Sequence, residues 1–244
     1  MGTSKGYQAP TTPQWSKLKG DVTRYSKDGA ALPTIARDII RDFIKVSSGT
    51  PNAGGGGGTR KGSNAAIATG KKLAGFARSV ATGGLGKALE EIGLGELVGK
   101  SAGEITLALL DKLCDEGSTL DEVDVRNALS DLTDELLEEA KSYDEVVLKL
   151  EEKFTLEILE QLLFTFFNYY LYHQFCRVFY ERLVAKHGES KTENFLKSIR
   201  DFIASELKYQ TFEKNLAHVD WSGEEGEHIS NEVLQRTLLV FGGQ

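Results

Sequence analysis

The stretch GLGELVGKS at residues 93–101 has the ingredients of a phosphate-binding loop, glycines leading to Gly99-Lys100-Ser101. Such a loop needs four residues between its first glycine and the Gly-Lys-Ser/Thr, so that consecutive backbone N–H groups can wrap the phosphates. Gly95 leaves three and Gly93 leaves five, and no strand pattern precedes them. The spacing predicts a turn between helices, with Ser101 as N-cap. His173 and Cys176 stand three apart on one predicted helix, as two zinc ligands could. His187, His218 and His228 are scattered and complete no second pair, so the residues read as a core histidine and a core thiol. No Gly-x-Ser-x-Gly, His-Glu-x-x-His or Cys–His signature occurs. Acidic pairs such as Glu138-Glu139 and Glu151-Glu152 read as solvated helix faces. No catalytic residue, metal or cofactor is expected, and the chain reads as a non-enzyme.

Charge is distributed unevenly. Residues 1–100 hold 15 Lys and Arg against 7 Asp and Glu, while residues 101–244 hold 14 against 29. No acidic residue lies between Asp42 and Glu90, an interval that contains Lys45, Arg60, Lys61, Lys71, Lys72, Arg78 and Lys87. Several of these, Arg60, Lys61, Lys71, Lys72 and Arg78, are candidate nucleic-acid contacts whose binding would weaken with salt. The alternative is that this positive element docks on the protein's own acidic half or on another protein.

A third chemistry is that of the amino terminus. Removal of Met1 ahead of a small residue would expose the α-amine of Gly2, which titrates near ~7.7–8.0 against ~10.4 for lysine and is therefore partly neutral and nucleophilic at cytosolic pH. Glycine also hinders entry into a narrow site least. Myristoylation wants Ser or Thr at the sixth position, and Gly6 stands there, so a lipid anchor is not expected.

The elements that carry these groups are predicted to be helices throughout. Residues 1–29 are polar and hold few large apolar side chains, so they read as a flexible tail in which Trp15 could anchor to the body or to a partner. A helix over 33–46 follows, then the glycine-rich loop 47–62 and a helix over 63–81, with short glycine-punctuated turns up to residue 100. Residues 102–114 form a buried helix ending near Gly117. The pairs Thr119/Glu122, Ser142/Glu145 and Ser190/Glu193 are capping boxes that open further helices, and a last helix covers about 228–241. Residues 154–183 hold ten of the chain's aromatics, with no charge between Glu160 and Arg177. That uncharged interval of 16 residues is short and polar against the ~20 apolar residues of a membrane span, and it predicts a central helix buried nearly all round. The expectation is an all-α bundle with three parts, a tail over 1–29, a basic segment over 30–100 and an acidic helical core over 101–244. Two cysteines and no apolar leader suggest the cytoplasm.

The order of local phrases resembles the QatB family, the small helical component of the bacterial Qat anti-phage defence system. The phrases are Met-Gly-Thr-Ser, Pro13-Gln14-Trp15, Arg-Tyr-Ser-Lys-Asp-Gly, the glycine-rich basic segment and GLGKALEEIGLGELVGKSAGEITLALLDKLCDEGSTLDE. The resemblance implies partners: an ATPase, a TatD-like nuclease and QatC, an enzyme similar to the QueC proteins of deazaguanine synthesis. It further implies that the QueC-like enzyme uses the Gly2 amine as acceptor for a 7-deazaguanine. Thr3, Ser4, Lys5, Gly6 and Trp15 would then be the residues the partner recognises. The alternative expectation is a nucleic-acid-binding adaptor that works through residues 45–87 and delivers a nuclease or ATPase to phage DNA.

Overall fold

Three helices begin with the same device, a hydroxyl that accepts from the backbone N–H three residues on while a glutamate reaches back. Ser101/Glu104, Thr119/Glu122 and Ser142/Glu145 each close this reciprocal box. The Ser101 hydroxyl and amide hold the Glu104 carboxyl below the usual glutamate range. The Lys141 and Ser142 amides do the same for Glu145. The turn expected at residues 93–101 is therefore present, and Ser101 is its N-cap.

The computed structural model describes residues 11–47, 64–114, 119–207, 209–210 and 214–242. Nine α-helices and no strand occur among the described residues, which makes the fold all-α. They are α1 (Pro13–Tyr25), α2 (Pro33–Ser47), α3 (Asn64–Glu91), α4 (Ala102–Leu113), α5 (Leu120–Leu136), α6 (Tyr143–Lys153), α7 (Leu159–His187), α8 (Glu189–Leu207) and α9 (Glu224–Gly242). None is long and apolar enough to cross a membrane. The helices form two compact units, and the division falls within α7 after Tyr170 and within α9 after Arg236.

Unit one comprises α1, α2, the second half of α7, α8 and the end of α9. Its aromatic centre is Phe43 of α2, which meets Phe175 at 5.3 Å and Phe179 at 6.1 Å between ring centroids, both edge to face. Here the tail expected over 1–29 is corrected for residues 13–25, while residues 1–10 lie outside the described residues. Residues 13–25 are helical because Thr12 caps them, Pro13 suits the first turn, and Trp15, Leu18 and Val22 make one buried stripe. The sparse apolar residues of this stretch suffice because α2 offers them a ready face. Along α7, residues Leu171, Phe175, Phe179 and Leu183 are buried at four-residue spacing while the residues between them are half-buried or exposed. Helix α8 starts at Glu189 directly after Gly188, so Ser190 lies in its first turn and does not cap it. Thr192 donates its hydroxyl to the Gly188 carbonyl at 2.8 Å.

Unit two comprises α3 to α6, the first half of α7, residues 214–223 and most of α9. Helix α3 buries Ile67, Leu73, Ala74, Phe76, Ala77 and Val80, the face that the sequence predicts. It runs on to Glu91 through a kink at Gly84, whose φ of 80° and ψ of 165° suit glycine alone. The Glu151 carboxylate of α6 accepts from the Leu85 amide at 3.1 Å and so caps the second segment. Phe154 leaves the predicted central helix. It closes α6 and packs edge to face on Phe76, and α7 starts at Leu159. Burial nearly all round holds for residues 159–171 of α7, where only Gln161 is exposed.

These units divide the chain differently from the expected segments 30–100 and 101–244. Those boundaries follow charge, whereas compaction follows apolar faces, which pair α3 with α5 and α6 and pair α2 with α8.

One carboxylate in unit two is wholly enclosed. Glu160 is 1% exposed, pairs with the Arg236 guanidinium and accepts from the Lys214 amide at 3.1 Å. Arg236 also covers the Phe164 ring at 5.3 Å. Arg236→Ala leaves that buried charge without its cation and is expected to cost about 3–5 kcal/mol, read from chemical denaturation. A loss of less than about 1 kcal/mol would contradict it.

Candidate functional site

Unit two carries a cleft of about 510 Å³. Helix α3 forms one wall, with Lys71, Lys72, Gly75, Phe76 and Arg78 on successive turns. Glu91 and Ile92 lie at one end, Lys112 and Leu113 of α4 contribute from the side, and Asp220, Trp221 and Ser222 form the facing loop. Lys71, Lys72 and Arg78, which the sequence nominates together, thus line one concavity. Arg60 and Lys61 lie outside the described residues, as does most of the glycine-rich loop. Lys45 belongs to unit one, and Lys87 pairs with Glu91 at 3.6 Å.

The polar groups of the cleft are partly committed. Arg78 donates from Nη1 to the Val219 carbonyl at 3.2 Å, while its Nε is buried with no hydrogen-bond partner among the described residues. Asp220 accepts from the Ser222 hydroxyl at 2.6 Å and from the Ser222 amide at 3.0 Å. Those two bonds, the Gly223 amide and the charge of Lys71 hold its carboxyl below the usual aspartate range. Glu91 also accepts from the Ser79 hydroxyl. Four basic and two acidic residues therefore line the cleft together with the apolar Phe76, Ile92, Leu113 and Trp221. Trp221 is 6% exposed, and its indole N–H is buried without an acceptor among the described residues. Such a surface suits an anion that carries an apolar portion.

Lys112 and the loop 220–222 are the functional candidates that sequence reasoning missed. They sit in the acidic half, far along the chain from the basic interval, and no local pattern marks them. The loop is held by the start of α9: Gly226 donates its amide to the Asp220 carbonyl at 3.0 Å, and Glu225 accepts from the Asp220 amide at 2.8 Å.

The other nominated residues are placed as follows. Gly2, Thr3, Ser4, Lys5 and Gly6 lie outside the described residues. Trp15 is 6% exposed and packs edge to face on Phe43 at 6.2 Å, so of its two expected roles it serves as an anchor to the body. His173 and Cys176 are half-buried, in place of the full burial expected. Among the described residues no group of three or more His, Cys, Asp or Glu is placed to hold a metal.

A Cβ at Gly226 would stand 2.8 Å from the Trp221 Cα and 3.0 Å from the Asp220 carbonyl oxygen, both backbone atoms. Gly226→Ala must therefore displace the loop. It is expected to cost about 1–3 kcal/mol and to red-shift the Trp221 emission. Unchanged emission and melting would show that the loop is not pinned there.

The family model described as "Qat anti-phage system associated protein QatB" matches residues 54–241, a span that contains every residue of the cleft. It begins after α2, so the Met-Gly-Thr-Ser start and Trp15 lie outside the match. No curated protein and no solved structure matches. With the matched span exceeding half its length, the chain belongs to the QatB family of Qat anti-phage system proteins.

Proposed function

We propose that this member of the Qat system is a non-enzymatic, cytoplasmic component of an anti-phage complex. Its Gly2 α-amine, freed by removal of Met1, is the acceptor for a 7-deazaguanine activated by the QueC-like partner QatC. Family membership is the observation that supports this reading. The chemistry is amide formation: the neutral amine attacks the ATP-activated carboxylate, a C–N bond forms, the C–O bond to the activating group breaks so that the group leaves with the carboxylate oxygen, and the amine gives up one proton to solvent. Thr3, Ser4, Lys5 and Gly6 would be the residues read by the enzyme. The described helix α1 begins at Pro13, and ten Cα-to-Cα steps lead from Gly2 to its Thr12 cap, a reach of at most about 35 Å. The helical body can therefore dock outside a partner's site while the terminus enters it. The ATPase and the TatD-like nuclease complete the proposed set of partners.

Intact mass of the protein co-expressed with the QueC-like enzyme should show loss of Met1 and a nucleobase adduct on Gly2. The adduct should be absent without the enzyme or in Gly2→Pro. An unmodified terminus in the presence of active enzyme would overturn the reading.

A second role is supported by the convergence of Lys71, Lys72 and Arg78 on one cleft, that of an adaptor whose basic stretch 45–87 contacts phage DNA. Three phosphate contacts predict that duplex affinity falls roughly forty-fold between about 50 and about 200 mM salt. Neutralising the three residues together should flatten that dependence. Fluorescence anisotropy of labelled duplex measures both, and affinity indifferent to salt and to the triple substitution would exclude the role.

A further inference from the structure

The cleft of unit two combines features that neither role requires. Its cations come from two helices: Lys71, Lys72 and Arg78 from α3, and Lys112 from α4. They line one broad, open concavity. At about 510 Å³ the cleft lies within the ~300–1,000 Å³ usual for small-molecule sites. Its floor includes the buried rings of Phe76 and Trp221, and Ser222 adds a hydroxyl at the rim. A concavity that carries four cations suits an anion better than a purely apolar ligand.

We propose that this cleft is a binding site for a nucleotide-sized phosphate ester, with the phosphate held by Lys71, Lys72 and Lys112 and the organic portion resting over Phe76 and Trp221. Arg78, bonded to the Val219 carbonyl, is a positioning residue that ties α3 to the loop. Asp220 places a negative charge beside Lys71 and so opposes the anion while it holds the loop's turn through Ser222. The site is independent of the Gly2 reading, because every residue in it lies between 71 and 222.

The chain has two tryptophans, so Trp15→Phe leaves Trp221 as the sole emitter in an otherwise full-length protein. Titration of that variant with ATP should change the Trp221 emission saturably. Adding Lys71→Ala and Lys112→Ala should weaken ATP about tenfold or more, with helicity unchanged by circular dichroism. Asp220→Asn keeps an acceptor for the turn and removes the charge, and should tighten ATP several-fold. Inorganic phosphate and a short single-stranded oligodeoxynucleotide are the companion probes. Phosphate that binds as tightly as ATP would overturn the role of the organic portion. Oligonucleotide binding without ATP binding would overturn the nucleotide in favour of a nucleic-acid backbone. No saturable emission change and no calorimetric heat with millimolar ATP would overturn the site altogether. Because the Gly2 adduct is read by mass, it should survive the Lys71→Ala and Lys112→Ala changes, so the two ideas fail separately.

Discussion

A single buried carboxylate organises the part of the molecule that carries the cleft. Glu160, in the first turn of α7, has its two oxygens taken by the Arg236 guanidinium and by the Lys214 amide. Lys214 in turn pairs with Glu232 on α9. The chain between residues 214 and 236 is thereby fastened at both ends to one point. A carboxylate enclosed to this degree persists only if its bonding capacity is filled, since desolvation of an unpaired charge would outweigh the packing around it. The loop 219–223 lies inside the fastened segment and forms one wall of the cleft. The geometry of the basic residues against Trp221 therefore depends on an ion pair that touches none of them.

Two glycines serve this arrangement, Gly84 and Gly226. The kink at Gly84 interrupts α3 beyond its basic face, and the Glu151 carboxylate of α6 satisfies the freed Leu85 amide. Without that acceptor, a helix start buried against α6 would carry an orphan donor. The kink lets α3 continue to Glu91, which with the adjoining Ile92 lines the cleft. Gly226 acts similarly at the other wall, where the backbones of two segments approach too closely for any side chain. The basic helix contacts the acidic half through Asp220 and the Val219 carbonyl, and it presents cations to a concavity.

Placing α1 in unit one changes the reach available to the terminus. With Trp15 held on Phe43 and Leu18 and Val22 buried beside it, the anchored point moves from residue 30 to residue 12. The family match starts beyond this region, at residue 54, so the proposed role of Gly2 draws on family membership and on no matched residue at the terminus. A scaffold role for the body and a substrate role for the terminus are compatible with that extent of match.

Much of the helical layout was legible in the residues themselves, since capping and amphipathic spacing are local properties. Thr119/Glu122 and Ser142/Glu145 announce α5 and α6, and the Ile67 to Val80 stripe announces the buried face of α3. Sequence also showed that Lys71, Lys72 and Arg78 share a side. Helix α1 was not legible because three apolar residues make a helix only when another helix stands ready to cover them. Ser190/Glu193 misled because a hydroxyl and a glutamate at cap spacing act as a cap only where the backbone before them is extended. The meeting of Lys112, Trp221 and Asp220 with α3, and the enclosure of Glu160 by Arg236, belong to tertiary structure alone. Those partners are tens of residues apart, and what brings them together is the burial of apolar faces, which records no trace in the spacing of the charged residues it carries along.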